Sequence, residues 1–158
     1  SVAYADSFPP TLTDFLFEVE QGTKLLLLCL IDGQVAGALW LQGLQRRQDG
    51  RVSSGWIGCY FLPSYRGHQA LRVWAKARQY WEDAGAQHFF TAINVANRRS
   101  QAMITRGAHF HLVGRFPRFT WFHDQLTDVF IYTLHAKDKQ LAWEIATARA
   151  VRQPTEVS

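Results

Sequence analysis

The sequence predicts an α+β domain built on a mixed, mostly antiparallel sheet flanked by helices. Two patterns and the composition support this. Strand-like and helix-period runs follow the order α-β-β-β-α-β-α-β-β-α, with consecutive strands towards both ends. A single β-α-β crossover joins the strand-like run Val52–Leu62, the helical stretch His68–Ala84 and the run His88–Val95. At 158 residues and 47% apolar composition, the chain is long enough to bury one sizeable core, which argues against a disordered tail or a coiled coil.

The elements are read as follows. A turn-rich Ser7-Phe8-Pro9-Pro10 leads into a short helix over Thr11–Glu20, with Leu12, Phe15, Leu16 and Val19 at helical spacing. Lys24–Ile31 and Gln34–Leu41 are strands joined by Asp32-Gly33, a pair that tolerates the positive φ of a tight turn. Gly43–Gly50 is polar and is read as a loop. Val52–Leu62 is a third strand, ended by Pro63, which lacks a backbone donor. From His68 to Ala84 the period changes. Ala70, Val73, Trp74, Ala77, Trp81 and Ala84 share one helical face, Arg72, Lys76, Gln79 and Asp83 lie opposite, and Gly85 stops the helix. His88–Val95 is a strand, Arg98–Arg106 a short helix ended by Gly107, and Phe110–Phe116 and Val129–Leu134 are strands. Lys139–Val151 is a closing helix, with Leu141, Ile145 and Ala148 on one stripe facing the sheet or a partner.

Charge is segregated along the chain. Residues 1–49 hold three basic and six acidic groups, and residues 124–158 hold four and five. Residues 50–123 hold ten basic groups against only Glu82 and Asp83, a net +8 where the whole chain carries +4. An anionic partner for this middle segment is expected. The longest apolar run, Leu25–Ile31, is far short of the roughly 20 residues of a membrane helix, so no membrane partner is expected. The first ten residues lack the layout of a secretory signal, and Cys29 and Cys59 cannot build a disulfide framework, which points to the cytoplasm. The chain begins with Ser1 rather than Met, which points to N-terminal sequence having been removed.

The chemistry concentrates in Tyr60-Phe61-Leu62-Pro63-Ser64-Tyr65-Arg66-Gly67-His68-Gln69-Ala70-Leu71, a strand running through a turn straight into a long helix. The first turn of a helix leaves N–H groups without partners, and its dipole makes that end positive, which suits a phosphate or diphosphate. Arg66 adds a full charge there. An ordinary strand–turn–helix with a surface arginine explains the same residues equally well, because Arg-Gly alone is a weak motif.

The Pro-x-Tyr-Arg-Gly run opening a long helix between two strands resembles the acetyl-CoA site of the GNAT acetyltransferase superfamily. A second block, Asn97-Arg98-Arg99-Ser100-Gln101-Ala102-Met103-Ile104-Thr105-Arg106-Gly107, resembles the family's Asn-containing segment after the fifth strand, and the likeness covers about Lys24 to Leu134. The resemblance implies a single GNAT-like domain over 1–158, in which the fourth and fifth family strands splay apart around the pantetheine arm. Residues 1–23 form a shortened N-terminal helical segment, and 136–158 a C-terminal helix and tail. Pantetheine would bond to the backbone of Tyr60 and Phe61. The diphosphate would rest on the N–H groups of Gly67, His68, Gln69, Ala70 and Leu71 beside Arg66, and Asn97 would contact the cofactor beyond the fifth strand. The implied activity is transfer of an acetyl or other acyl group from CoA to a small-molecule or peptide amine, without a metal. The alternative is a non-catalytic CoA-binding or interaction module of the same fold.

The sequence also departs from the family pattern. Gln69 and Leu71 fill the two small positions of the phosphate turn, where side chains restrict backbone approach to a diphosphate. His68 is a further donor that offsets this in part. The family's general-acid tyrosine corresponds to Ile104, in a stretch one residue shorter than usual, and its glutamate base to Ala92, so the catalytic residues are not assigned. Only 23 residues precede Lys24, which leaves the acceptor side open to a bulky substrate or to a neighbouring subunit.

Other groups have weaker claims. Tyr60 is a substitute acid and Cys59 lies near the expected thioester, but strand tyrosines and cysteines more often serve packing. His109 and His111 share a strand face without a third ligand type, a weak metal site. The interleaved Phe116-Pro117-Arg118-Phe119-Thr120-Trp121-Phe122-His123 reads as a loop overhanging the acceptor, and a dimer interface would use it equally. A single-stranded nucleic-acid platform is the less favoured reading of that stretch, since no other nucleic-acid motif accompanies it.

Overall fold

The computed structural model describes residues 11–136. The predicted Ser7–Pro10 turn and the Lys139–Val151 helix lie outside the described residues. Helix α1 spans Leu12–Glu20, and Thr11 caps it by accepting from the Asp14 amide at 3.1 Å. Strands β1 (Leu25–Ile31), β2 (Gln34–Arg46) and β3 (Val52–Phe61) follow. A 3-10 turn at Pro63–Tyr65 leads to α2 (His68–Asp83), then β4 (His88–Asn94), α3 (Arg98–Ala102), a π-helical turn at Met103–Gly107, β5 (His111–Phe122) and β6 (Gln125–His135).

The six strands form one sheet in the order β1-β2-β3-β4-β6-β5, in which only the β3–β4 pair is parallel. That pair is the predicted crossover, with α2 between its strands. Helix α2 buries Ala70, Trp74, Ala77 and Trp81 against one sheet face, where Leu39, Leu41, Phe61, Phe89, Tyr132 and Leu134 also lie. Trp74 meets Phe89 edge-on at 5.8 Å, and Phe110 reaches the same ring from the start of β5 at 5.6 Å. Such ring pairs add about 0.5–1.5 kcal/mol each to the burial of their large apolar area. On the opposite face Phe15 of α1 sets its edge on Trp40 at 5.7 Å, and the buried Lys24 ammonium pairs with Glu18 at 2.6 Å. Helix α1 has no buried residue, so its apolar stripe forms as expected but stays largely open.

Three stretches differ from the sequence reading, and β6 also starts four residues earlier than expected, at Gln125 rather than Val129. Strand β2 runs on to Arg46 through the stretch read as a loop. A register shift between Gln42 and Gln45 absorbs Gly43, whose φ of +57° a bulge accommodates. The helix expected over Arg98–Arg106 is α-helical only to Ala102 and then widens into the π turn that ends at Gly107. The aromatic stretch Phe116–His123 is not a loop. It lies in β5 up to Phe122, and only His123-Asp124, at φ +48° and +60°, forms the tight turn to β6. Pro117 is tolerated because β5 is an edge strand, and the Asp128 carboxylate accepts the Arg118 amide at 2.9 Å where the register shifts.

Candidate functional site

The site begins where β3 and β4 part. Parallel pairing covers Ser54–His88, Gly55–Phe89 and Trp56–Phe90 and then stops, and the Thr91 hydroxyl bridges to the Ile57 carbonyl at 3.4 Å. Beyond this fork Ile57–Phe61 and Thr91–Asn94 diverge. Hydrogen-bond directions along β3 follow from one observation. The Leu62 amide donates to the Ala36 carbonyl of the β2 side at 2.9 Å. Alternation in an antiparallel ladder then aims the backbone groups of Tyr60 at β2 and those of Phe61 into the opening. Of the two residues expected to offer backbone to pantetheine, Phe61 is the one that faces the fork. The side chain of Tyr60 is 39% exposed.

The turn that follows shapes the uncapped, positive end of α2. Pro63 opens the 3-10 turn, which Tyr65 closes by donating to the Leu62 carbonyl at 2.9 Å. Gly67 then adopts φ +88°, ψ −129°, a conformation that a side chain strains, and stands as the N-cap of α2. It offers no side-chain cap, and no acidic residue occupies the first turn. The first helical bond is that of the Leu71 amide to the Gly67 carbonyl at 3.1 Å. The amides of His68, Gln69 and Ala70 precede it and point off the positive end of a 16-residue helix. Leu71 therefore closes the turn rather than adding a donor. Arg66 and His68 are exposed beside this end, and Arg66 joins no ion pair among the described residues. Its Nε donates to the Phe61 carbonyl at 3.1 Å.

The expected obstruction by Leu71 does not arise. A Cβ on Gly107 would lie 2.6 Å from Leu71 Cδ1, so the leucine side chain packs against the π turn and the core rather than over the bare amides. Gln69 is exposed at the turn. Across the fork, Asn97 caps α3 by accepting from the Ser100 amide at 3.1 Å, which commits its Oδ1. Gln101 was not singled out from sequence, yet its Nε2 donates to the Asn94 and Val95 carbonyls at 3.0 and 2.8 Å and holds the end of β4 to α3. No local sequence signal marks it. Ile104 is half-buried against the core, and Ala92 sits in β4 opposite Ile131.

No family model and no curated protein matches the sequence. Solved structures do match the fold. The microcin self-immunity acetyltransferase MccE, in complex with acetyl-CoA and AMP, aligns with a TM-score of 0.65 at 18% identity, over 78% of this chain and 67% of that one. Mycobacterium smegmatis RimJ in complex with CoA-disulfide gives 0.69 at 19%, over 80% of this chain and 59% of its own. An acetyltransferase of the GNAT family from Streptococcus pneumoniae gives 0.63 at 16%, over 76% and 73%. The fold is that of the GNAT acetyltransferases.

Within that GNAT fold, the β5–β6 hairpin extends past the end of β4, on the side where the fork opens. Asn94 Nδ2 donates to Thr127 Oγ1, which in turn donates to the Thr120 carbonyl at 3.2 Å, so the hairpin is fastened to β4. Phe116, Phe119 and Trp121 are exposed along it. Asp128 is held below the usual carboxylate range, first by the Arg118 amide and then by the Arg115 guanidinium. Both carboxylates of the middle segment lie at the far end of α2, where Glu82 pairs with Arg78 at 3.0 Å and Asp83 accepts from Gln79 at 2.8 Å. Burial raises the thiol pKa of Cys29, and Cys59 packs half-buried against the core. His109 and His111 are exposed, and no group of three or more His, Cys, Asp or Glu among the described residues could hold a metal. No helix among the described residues is long and apolar enough to cross a membrane.

Proposed function

We propose that this chain is an acyl-CoA-dependent acyltransferase that moves an acetyl or other acyl group from CoA to an amine. The observation that carries this reading is the fork between β3 and β4, which leads directly to the uncapped N-terminus of α2. Bound acyl-CoA would supply an activated acyl carbon in its thioester. The amides of His68, Gln69 and Ala70, with Arg66 beside them, would hold the diphosphate. The Phe61 amide would face the thioester carbonyl and stabilise charge growing on its oxygen, and Asn97 Nδ2 would contact the cofactor arm. A neutral amine attacks the acyl carbon directly. The new C–N bond forms, the C–S bond breaks, and the amine proton leaves to the departing sulfur through solvent. Positioning and polarisation carry the rate, because proton transfer typically adds only about 10²–10⁴-fold. The hairpin aromatics suit a small-molecule or peptide amine with apolar or aromatic groups.

Ile104 and Ala92, at the family's acid and base positions, favour a second reading in which the chain binds CoA without turning it over. Two measurements separate these. Low-micromolar acetyl-CoA is expected to raise the melting temperature, and Arg66→Ala to reduce that shift; no shift in either protein overturns both readings. Thiol release with a panel of amines then assigns the enzyme, and binding without release assigns the module. Salt-steep binding to single-stranded oligonucleotides that CoA fails to displace would instead favour a nucleic-acid partner.

A further inference from the structure

Where β4 diverges from β3, the end of β3 loses its neighbour on that side, and a carbonyl there needs another partner. At Phe61 that partner is Arg66, whose Nε donates at 3.1 Å. The Phe61 carbonyl and the Leu62 amide belong to one peptide unit, and the amide donates to the Ala36 carbonyl at 2.9 Å. This peptide is thus held from both sides, by β2 and by Arg66. Nε provides the hold, while Arg66 as a residue stays exposed, one position before the Gly67 N-cap of α2.

We propose that Arg66 is a positioning residue that fixes the Phe61–Leu62 peptide, and through it the direction of the Phe61 amide at the fork, while its charge faces the phosphate end. The guanidinium joins the two halves of the candidate site. Its Nε sets the strand end that would take pantetheine, and its charge serves the helix end that would take diphosphate. The ligand part of this inference rests on the CoA reading above; the hold on the peptide does not.

Two substitutions separate the halves. In Arg66→Gln, Nε2 stands at the same number of bonds from the backbone as the arginine Nε, so the donor is kept and the charge is lost. In Arg66→Lys the charge is kept, but a methylene replaces the donor at that place. In the free protein, amide exchange at Leu62 is expected to accelerate about tenfold in Arg66→Lys and to stay near the unmodified rate in Arg66→Gln. Equal exchange in both variants, whether fast or slow, overturns the hold. For ligands, the full chain is titrated calorimetrically with CoA and with the 3′-phosphate of ADP, called ADP below, which lacks only the pantetheine arm. The ratio of CoA to ADP affinity is expected to fall about tenfold in Arg66→Lys and to be retained in Arg66→Gln, where both affinities drop together. An unchanged ratio in Arg66→Lys overturns the link to pantetheine. Failure of the unmodified chain to bind either ligand overturns the CoA reading and with it that link, while the exchange rates still decide the hold.

Discussion

Gly37→Ala is the sharpest test of how the β2–β3 pair shapes the fork. Gly37 lies opposite Phe61, and a Cβ there would stand 2.2 Å from the Tyr60 carbonyl oxygen and 2.9 Å from Phe61 Cα. These are backbone atoms with no rotamer to give way, so the strands must separate by about 1 Å to reach ordinary contact. That movement falls beside the 2.9 Å bond from Leu62 to Ala36. Overpacking costs about 1–3 kcal/mol and a weakened hydrogen bond about 1 kcal/mol, giving roughly 2–4 kcal/mol in all. At about 2–4 °C per kcal/mol for a chain of this size, the melting temperature should fall on the order of 10 °C. Differential scanning calorimetry measures it, with Gly114→Ala as the control. A Cβ at Gly114 meets nothing within 4 Å, so that change should be near neutral. A fall below about 2 °C for Gly37→Ala, or an equal fall for both, would refute the argument. The acetyl-CoA shift should also shrink in Gly37→Ala, since the strand that carries Phe61 is the one displaced.

Three further outcomes are expected. Gly67→Ala places a side chain at φ +88°, which costs about 1–3 kcal/mol without any clash, and should weaken the acetyl-CoA thermal shift beyond the loss in stability. Gly107→Ala should destabilise by about 1–3 kcal/mol through its contact with Leu71. A Leu71→Ala background should remove most of that cost, and strict additivity in the double-mutant cycle would contradict the packing described. Because the folded pKa of Asp128 is lowered, its contribution is present above the unfolded value of about 3.9 and is lost as pH falls through the folded one. Carboxyl NMR should place its midpoint below about 3.9, and Arg115→Gln should move it upward; a midpoint at or above the unfolded value would count against this pairing.

Local chemistry made most elements legible in the sequence. The three- and four-residue spacing of Ala70, Trp74, Ala77 and Trp81 specified the buried face of α2, because periodicity and burial follow from the same geometry. The strand-like runs on either side of Asp32-Gly33 gave the first hairpin, and the strand–Pro–Arg-Gly–helix order located the start of α2. The errors fall where long-range partners decide. Phe116–Phe122 reads as a polar and aromatic loop, yet its backbone is extended because Gln125–Val129 pairs with it and Asp128 bridges the irregular step. Gly43 reads as a breaker, and β2 absorbs it as a bulge because β3 continues alongside.

The candidate site divides the same way. Residue type and order alone specify a helix that starts directly after Arg66-Gly67, and the family resemblance adds the missing tyrosine and glutamate at Ile104 and Ala92. Tertiary structure decided the rest. The fork assigns Phe61, rather than Tyr60, the backbone that faces the opening, because strand alternation is counted from a bond to β2. Leu71 turns away from the bare amides because Gly107, 36 positions later, leaves room for it. The hold of Arg66 on Phe61 arises only when β4 departs and exposes a carbonyl. Sequence thus determined the chemistry available at the site, while direction and partnership were set by contacts between segments distant along the chain.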